Sequence, residues 1–266
     1  MKISLLCCSP RSKSVGAFVL FLLSLGIIYY APISLEVKLI LVGSILLSYF
    51  LFLFWASAHI RSGIYVKTWN SSPHQTKKVA LTFDDGPALQ TKEVLDLLKL
   101  WDAKATFFLI GDKIGSQKEL VKRMVKEGHG VGNHSWMHSP LFPLQGSKSI
   151  RSSLMETRSA IEEVTGLPNK LFRPPYGVTN PLIKNALRGL DFKVIGWSVR
   201  SLDTKNEPAE VVFKRIQSKI KGGDIILLHD TSKNIIPLLK KVLPWLKSMN
   251  YELVTVDELM KNENKL

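Results

Sequence analysis

Cysteine is nearly absent from this sequence. Only two of the 266 residues are cysteines, and they are adjacent, at Cys7 and Cys8. Two neighbouring thiols provide no disulfide framework, so the rest of the chain has to be stabilised by packing. The pair is compatible both with free thiols and with lipidation sites. A glycine-rich dinucleotide or phosphate-binding fingerprint, an internal repeat and a low-complexity tract are missing as well.

Charge is also scarce near the N-terminus, although the whole chain has a net charge of +14. Residues 1–76 contain six Lys or Arg and one Glu, whereas residues 77–266 contain 30 Lys or Arg and 21 Asp or Glu. In the second part the basic residues are interspersed with acids, without a basic run or an aromatic RNA-reading motif. This distribution argues against a nucleic-acid partner and is compatible with an anionic membrane or wall.

Two uncharged stretches have the length of membrane-spanning helices. Residues 15–33 and 39–58 each supply about the 20 apolar residues that cross a bilayer as a helix. A signal peptide is the alternative for the first stretch, and a buried core helix for the second. A second apolar run follows almost at once, without a cleavage site and a polar mature terminus, which favours a hairpin. We expect a tail (1–14), two transmembrane helices, a linker (59–76) and a soluble domain (77–266).

The basic residues around this hairpin bear on its orientation. Five of them lie outside the two spans, and only Lys38 lies between them. The outer five are Lys2, Arg11, Lys13, Arg61 and Lys67. Counting positive charges alone, both outer flanks should be cytoplasmic.

From residue 77 onward, short β-branched or aromatic runs alternate with segments of helical periodicity, as in repeated βα units. The predicted strands are 79–83, 105–111, 130–133, 171–173, 192–199, 224–229 and 251–256. The predicted helices are 91–101, 117–127, 149–165, 181–190, 208–219 and 235–249. Seven strands and six intervening helices predict an α/β fold, a distorted (β/α)7 barrel. An open doubly wound sheet is the alternative.

The unusual polar residues follow the C-terminal ends of predicted strands. They are Asp84 and Asp85 in TFDDGP, His134 and His138 in NHSWMH, Arg173 and Tyr176 in FRPPYG, and His229 in IILLHD. In a barrel of parallel strands these ends form one face, where side chains distant in sequence converge. We therefore expect one site there.

The two histidines predict a metal site. Four residues apart, His134 and His138 could present both imidazoles on one side of a helical turn, and Asp85 is the natural third ligand for a divalent ion. Of two adjacent carboxylates, one can bind the ion while the other takes a proton from activated water. Arg173 can orient such a base. The ligand types suit zinc, and cobalt or nickel would fit the same site.

Two further groups extend this chemistry. Pro174 and Pro175 stiffen the chain before Tyr176, whose amide could then point at a developing oxyanion. His229 could donate a proton to a leaving amine, provided that a carboxylate orients its ring. Asp203 and Asp230 are both candidates for that carboxylate, and their spacing does not decide between them.

Taken together, TFDDGP, HSWMH, RPPYG, WSVRSLD and LLHD resemble five successive motifs of the polysaccharide deacetylases of the NodB-homology group, the family-four carbohydrate esterases. The resemblance covers residues 77 to about 260. It implies a distorted barrel and the metal-dependent removal of acetyl groups from an N-acetylated sugar. By motif it implies Asp84 as base, Asp85, His134 and His138 as metal ligands, His229 as acid, Arg173 as partner of Asp84, Asp203 as partner of His229, and the Tyr176 amide as oxyanion donor.

Two positions depart from that family. Arg200 stands where many members have an acid, and Thr204 stands where a tryptophan follows the aspartate. An arginine at the rim could favour an anionic sugar carrier, and an arginine paired with a local acid is the alternative. The departures concern the choice of substrate rather than the core reaction.

The resemblance and the predicted hairpin together imply a membrane-anchored, metal-dependent hydrolase that removes N-acetyl groups from an amino-sugar polymer or a lipid-linked glycan. A catalytically silent glycan-binding module on the same scaffold is the alternative. The partners implied are the glycan and the lipid bilayer, whereas the oligomeric state stays open. The family's usual location is outside the cytoplasm of bacteria, against the charge count, and we expect the soluble domain on that outer side of the membrane.

Overall fold

The structure, a computed structural model, describes residues 10–205 and 207–261. Lys2, Cys7, Cys8 and the first part of the predicted tail lie outside these residues. Two long helices come first, α1 (Pro10–Tyr30) and α2 (Leu35–Ala58). Eight strands and eight more helices follow them in the described residues.

The strands are β1 (Lys78–Gly86), β2 (Ala105–Leu109), β3 (Gly130–Asn133), β4 (Leu171–Phe172), β5 (Lys193–Val194), β6 (Val199–Arg200), β7 (Ile225–His229) and β8 (Glu252–Leu253). The helices are α3 (Thr91–Leu100), α4 (Gly111–Ile114), α5 (Lys118–Lys126), α6 (Ser147–Thr165), α7 (Pro181–Ala186), α8 (Ala209–Gln217), α9 (Ile235–Ser248) and α10 (Val256–Leu259). The predicted alternation of strands and helices is confirmed, except that two helices lie between β2 and β3 and none lies between β5 and β6.

The first two helices pack against each other and leave most of their apolar side chains exposed. The Phe21 and Tyr49 rings stack with centroids 4.4 Å apart. In each helix, serine hydroxyls donate to the carbonyl four residues earlier, as Ser44 does to Ile40, so they require no other acceptor. Among the described residues, only Leu35–Ala58 is long and apolar enough to cross a membrane. The two-span hairpin therefore stays a prediction.

The eight strands form one curled parallel sheet. Their order is β5-β4-β3-β2-β1-β7-β6, and β8 pairs with β1. Strand β1 lies at the centre, and its apolar side chains are buried on both faces. Burial on both faces is typical of a parallel sheet, whose two faces are both covered. This arrangement places the end of β1 in the middle of the sheet's carboxyl edge.

The strand predicted at 192–199 is two strands at opposite edges of the sheet. β5 pairs with β4 and β6 pairs with β7, so the chain between them crosses from one edge to the other. There, Trp69 takes the place of a neighbouring strand: its N–H donates to the Val194 carbonyl at 2.8 Å, and its carbonyl accepts from Gly196 at 2.7 Å. The distorted barrel that the sequence predicts is therefore a half-barrel, open between β5 and β6.

The predicted linker, residues 59–76, packs along the open side of the half-barrel, the gap between the β5 and β6 edges of the sheet. Ile60 and Ile64 are buried, and the Ser72 N–H donates to the Gly223 carbonyl at 2.7 Å. Gly223 has a φ of +84°, and a Cβ atom there would overlap the Ser72 carbonyl. Glycine is required at this position both by the left-handed backbone and by the close approach of the segment.

We predict that Gly223→Ala lowers the free energy of unfolding by about 2–4 kcal/mol, because it adds left-handed strain to a steric overlap. Denaturant unfolding of the detergent-solubilised chain measures this. Gly115→Ala is the control, since Gly115 has a helical φ of −57° and open space around it. A Gly223 variant as stable as the Gly115 variant would show that residues 59–76 do not hold the fold together.

Candidate active site

Strand β1 ends in a bulge that turns two neighbouring carboxylates to one side. Strand β2 pairs with Asp84 and Gly86 and skips Asp85, which has a φ of 72°. Successive side chains of a regular strand point to opposite faces, and a bulge interrupts this alternation. Both carboxylates consequently approach His134 Nε2, at 3.8 Å for Asp84 Oδ2 and 3.5 Å for Asp85 Oδ1.

His138 completes a cluster with Asp85 and His134. One ligand atom from each residue lies within 4.8 Å of the others, and His138 Nε2 is 3.4 Å from Asp85 Oδ1. The expected helical turn between the histidines is wrong. Ser135 and His138 have positive φ values of 71° and 49°, and the Ser135 hydroxyl accepts the His138 N–H at 3.1 Å. A hydrogen-bonded loop thus brings the imidazoles together.

The His134 ring has a defined tautomer. Its Nδ1 lies 2.8 Å from the Arg173 carbonyl oxygen, which only accepts, so Nδ1 carries the proton. Burial lowers the pKa of His134 to about 3, despite the charge of Asp85. The neutral ring turns its Nε2 lone pair toward Asp85, whose Oδ1 is buried without a hydrogen-bond partner in the described chain. These donors fit a divalent metal ion.

Asp84 is held by a buried arginine. Arg173 is fully buried, and its Nη1 donates to Asp84 Oδ1 and to the Thr82 hydroxyl, both at 2.7 Å. Its Nη2 donates to the Gly196 carbonyl at 2.8 Å, and the guanidinium lies over the Phe108 ring. Burial raises the pKa of Asp84, and the Arg173 charge opposes that rise. One carboxylate oxygen is thereby fixed while the other faces His134.

His229 is held by Asp203 through two contacts. Asp203 Oδ1 lies 2.9 Å from His229 Nδ1, and Oδ2 accepts the His229 backbone N–H at 2.8 Å. Ser201 donates to the same carboxylate, and Ser232 to the Asp203 carbonyl. Burial disfavours protonation of His229, but the hydrogen bond and charge of Asp203, with Asp84 and Asp85, outweigh it and raise the pKa to about 9.

Asp230, the other candidate for that contact, faces another part of the molecule. Its carboxylate accepts a hydrogen bond from Thr91 at the start of α3, and it lies so close to Gly86 that a Cβ atom there would overlap it. Asp230 therefore connects the end of β7 to the loop after β1. Of the two candidates, Asp203 is the one that contacts His229.

The two carboxylates of β1, the two histidines of the cluster and His229 line a cavity of about 220 Å³. Tyr176 lines it, with a φ of 61° and a hydroxyl that donates to the His138 carbonyl at 3.2 Å. Arg200 and Thr204, the two departures from the resemblance, line it as well. Trp197 also lines the cavity. The sequence assigns no role to Trp197 or Thr82, because only the folded chain brings them beside Arg173.

Comparison with known proteins agrees with this geometry. The sequence profile of the polysaccharide deacetylases matches residues 71–195. A peptidoglycan-N-acetylglucosamine deacetylase of Bacillus cereus is 35% identical over 201 residues, which are 73% of this chain and 92% of that protein. The chain belongs to the polysaccharide deacetylase family. The deacetylase PgdA of Listeria monocytogenes is 40% identical over 69% of this chain, but this match spans only 39% of that longer protein.

Solved structures of this family share the fold. The peptidoglycan deacetylase PdaC of Bacillus subtilis has a TM-score of 0.67 and 34% identity, over 73% of this chain and 94% of that one. A family 4 acetyl xylan esterase of Clostridium thermocellum, solved with a cobalt ion, has a TM-score of 0.65 and 35% identity. The match covers 71% of this chain and 92% of that one. A Bacillus anthracis protein described as a pseudoenzyme has a TM-score of 0.66 and 30% identity. The match covers 73% of this chain and 69% of that one.

We predict that Asp203→Asn lowers the pKa of His229 well below 9, because the variant removes the negative charge and keeps the burial. The wild-type pKa lies above the unfolded value of about 6.5. Protonated His229 therefore stabilises the fold fully below pH 6.5, and this contribution is lost as the pH rises through 9. In the variant that loss should occur at lower pH.

NMR titration of the His229 ring in metal-free protein measures the shift directly. Asp230→Asn is the control, because the Asp230 carboxylate contacts Thr91 rather than His229. A His229 pKa that stays near 9 in the Asp203 variant would contradict the prediction.

Proposed function

We propose that this protein is a membrane-anchored, metal-dependent hydrolase that removes N-acetyl groups from an amino-sugar glycan. One observation carries the proposal. Ligand atoms of Asp85, His134 and His138 lie within 4.8 Å of one another, in a cavity that also contains Asp84 and His229. Metal ligands, a base and an acid around one cavity are what metal-assisted hydrolysis needs.

The metal ligands are Asp85 Oδ1 and the two histidine Nε2 atoms. A divalent cation bound there would polarise the acetyl carbonyl and lower the pKa of a water molecule. Two imidazoles and one carboxylate suit zinc, and cobalt or nickel can occupy the same donors. The Arg173 carbonyl keeps the His134 lone pair directed at the cation site.

The remaining groups move protons and stabilise charge. Asp84 is the base, since burial raises its pKa and Arg173 leaves its Oδ2 free to take a proton from water. His229 is the acid: Asp203 occupies Nδ1 and keeps the ring protonated, so Nε2–H can donate to the leaving amine. The Tyr176 backbone amide stabilises the developing oxyanion.

The names of the relatives support the substrate class. They include deacetylases of peptidoglycan N-acetylglucosamine and N-acetylmuramic acid. The match spans only 39% of the whole Listeria PgdA and Bacillus subtilis PdaC proteins, which are longer than the solved PdaC chain. We therefore assign it the broader class of N-acetylated glycans, with Arg200 and Thr204 as the positions at which its choice of substrate diverges.

A catalytically silent glycan-binding module is the second candidate. The likeness to the Bacillus anthracis pseudoenzyme favours it. The intact ligand set, the Arg173–Asp84 pair and the Asp203–His229 pair favour the enzyme. Acetate release from N-acetylated glycans distinguishes the two, since a silent module would bind glycan without releasing acetate.

We predict that Asp85→Ala weakens zinc binding roughly 100-fold or more, because altering outer-shell residues alone costs 10–100-fold, and that it abolishes acetate release. Calorimetric zinc titration and an acetate assay on N-acetylglucosamine oligomers measure both effects. Asp112→Ala is the control, since it removes an exposed carboxylate from helix α4. Normal acetate release by the Asp85 variant, or by chelator-treated wild type, would refute metal-dependent catalysis.

Helices α1 and α2 form the membrane anchor of this enzyme. Their exposed apolar side chains, including Leu20, Ile27, Phe50 and Phe54, support insertion into lipid. We place residues 77–266 outside the cytoplasm because the relatives are named for peptidoglycan substrates. The basic residues on both outer flanks favour the opposite side, so the assignment needs a direct test.

Two single-cysteine variants provide it, in a chain whose Cys7 and Cys8 are replaced by Ser. His74→Cys reports on residues 59–76, and Lys38→Cys reports on the first turn of α2, next to the loop between the two helices. The cells are first stripped of any outer membrane, and their inner membrane is left intact. A membrane-impermeant maleimide should then label position 74 directly and position 38 only after permeabilisation. The reverse pattern would place the catalytic domain in the cytoplasm.

A further inference from the structure

The second apolar helix joins the half-barrel through fixed contacts. Ala56, in the last turn of α2, is fully buried. The carbonyl of the next residue, Ser57, accepts the Thr179 N–H at 3.0 Å, and the Ser62 hydroxyl donates to the Ala56 carbonyl at 2.8 Å. Backbone groups held in this way do not behave as a flexible tether. The half-barrel therefore has a defined position relative to α2.

This contact lies on the catalytic face. Thr179 belongs to the loop after β4, which also carries Tyr176 of the cavity wall. Thr179 and Tyr176 are three positions apart in the sequence, so their Cα atoms are at most about 11 Å apart. The interfacial layer on each side of a bilayer is roughly 5–8 Å thick. With the end of α2 at the membrane surface, the cavity wall lies at the headgroups or just outside them.

Exposed leucines continue the same rim. The Asn180 side chain donates to the Pro143 carbonyl, which joins the loop after β4 to the short helical turn Phe142–Leu144. On either side of buried Phe142, Leu141 is 64% exposed and Leu144 is 74% exposed. Transfer of one such side chain from water to an apolar environment is worth about 1.5–3 kcal/mol. Lipid beside the end of α2 is the environment that would cover them.

Exposed leucines also occur away from this rim. Leu100 is 75% exposed as well, but it is the last residue of α3. Because each helix runs antiparallel to the strand before it, Leu100 lies at the opposite end of the half-barrel. Its exposure therefore provides a matched control for Leu144.

The cavity itself carries an available cation. Arg200 lines it and is exposed, and its guanidinium forms no salt bridge with any carboxylate in residues 10–205 or 207–261. The pairing with a local acid that the sequence left open is not formed there. A guanidinium binds a phosphate through two parallel hydrogen bonds.

We propose that the catalytic cavity opens at the membrane surface and that its substrate is an N-acetylated sugar attached to a membrane lipid through a phosphate. The proposal rests on the deacetylase function proposed above and specifies its substrate. Leu141 and Leu144 contact the lipid, Arg200 contacts the phosphate, and the sugar enters the cavity between His138 and His229.

The first experiment tests position without depending on activity. Full-length protein with Cys7 and Cys8 replaced by Ser carries a nitroxide on Leu144→Cys or on Leu100→Cys, in phosphatidylcholine vesicles. Electron paramagnetic resonance compares collisions with oxygen, which enters lipid, and with an aqueous nickel complex. At 144 the ratio of oxygen to nickel collisions should be several times that at 100, because a residue buried in the interface meets oxygen in lipid more often than the nickel complex in water. Equal ratios would overturn the proposed membrane position.

The second experiment tests the substrate with three probes: the hexadecyl ester of N-acetylglucosamine 1-phosphate in vesicles, its soluble methyl ester, and a soluble N-acetylglucosamine pentamer. The kcat/KM for acetate release from the hexadecyl ester should be at least about tenfold above both others, beyond the effect of one ordinary contact. Arg200→Gln should reduce the preference for both phosphate esters over the pentamer, and Arg200→Lys should restore part of it.

The outcomes separate the two proposals. Release that is fastest from the pentamer overturns the lipid-linked substrate and leaves the deacetylase function intact. Methyl and hexadecyl esters of equal kcat/KM overturn the role of the membrane. Absence of acetate from all three probes, with metal bound, overturns the proposed function and this inference with it.

Discussion

The buried contact between Arg173 and Asp84 is the interaction on which the rest of the site depends. An arginine without solvent is costly unless its charge and all its donors find partners. Asp84 of β1 supplies the charge, and the Gly196 carbonyl, on the segment that crosses the open side of the sheet, accepts from the same guanidinium. The Arg173 carbonyl then orients His134. One residue thus joins the central strand, the sheet edge and a proposed metal ligand.

Two histidines in the same cavity have opposite protonation because their partners differ. His134 gives its Nδ1–H to a neutral carbonyl, and burial lowers its pKa to about 3. His229 gives its Nδ1–H to the Asp203 carboxylate, which raises its pKa to about 9 against the effect of burial. A neutral ring suits a metal ligand, and a protonated ring suits an acid. Separation of roles by environment is a general property of hydrolytic sites.

Much of the fold was predictable because each strand and helix is specified locally. The predicted strand at 130–133 has the bounds of β3, and the predicted helix at 235–249 matches α9 closely. The division of residues 192–199 into β5 and β6 was not predictable, since it depends on the contact with Trp69, more than a hundred residues away in the sequence. The helical turn between His134 and His138 failed because the Ser135 hydroxyl competes for the backbone.

Periodicity and motif spacing are local properties of the chain, so the α/β class, the polar residues at the strand ends and the family resemblance can be read from the sequence alone. The folded chain was needed to establish that Asp203 rather than Asp230 contacts His229, that Asp84 and Asp85 face one side through a bulge, and that residues 59–76 pack along the open side of the sheet. These outcomes depend on which distant groups meet, and linear spacing does not contain that information.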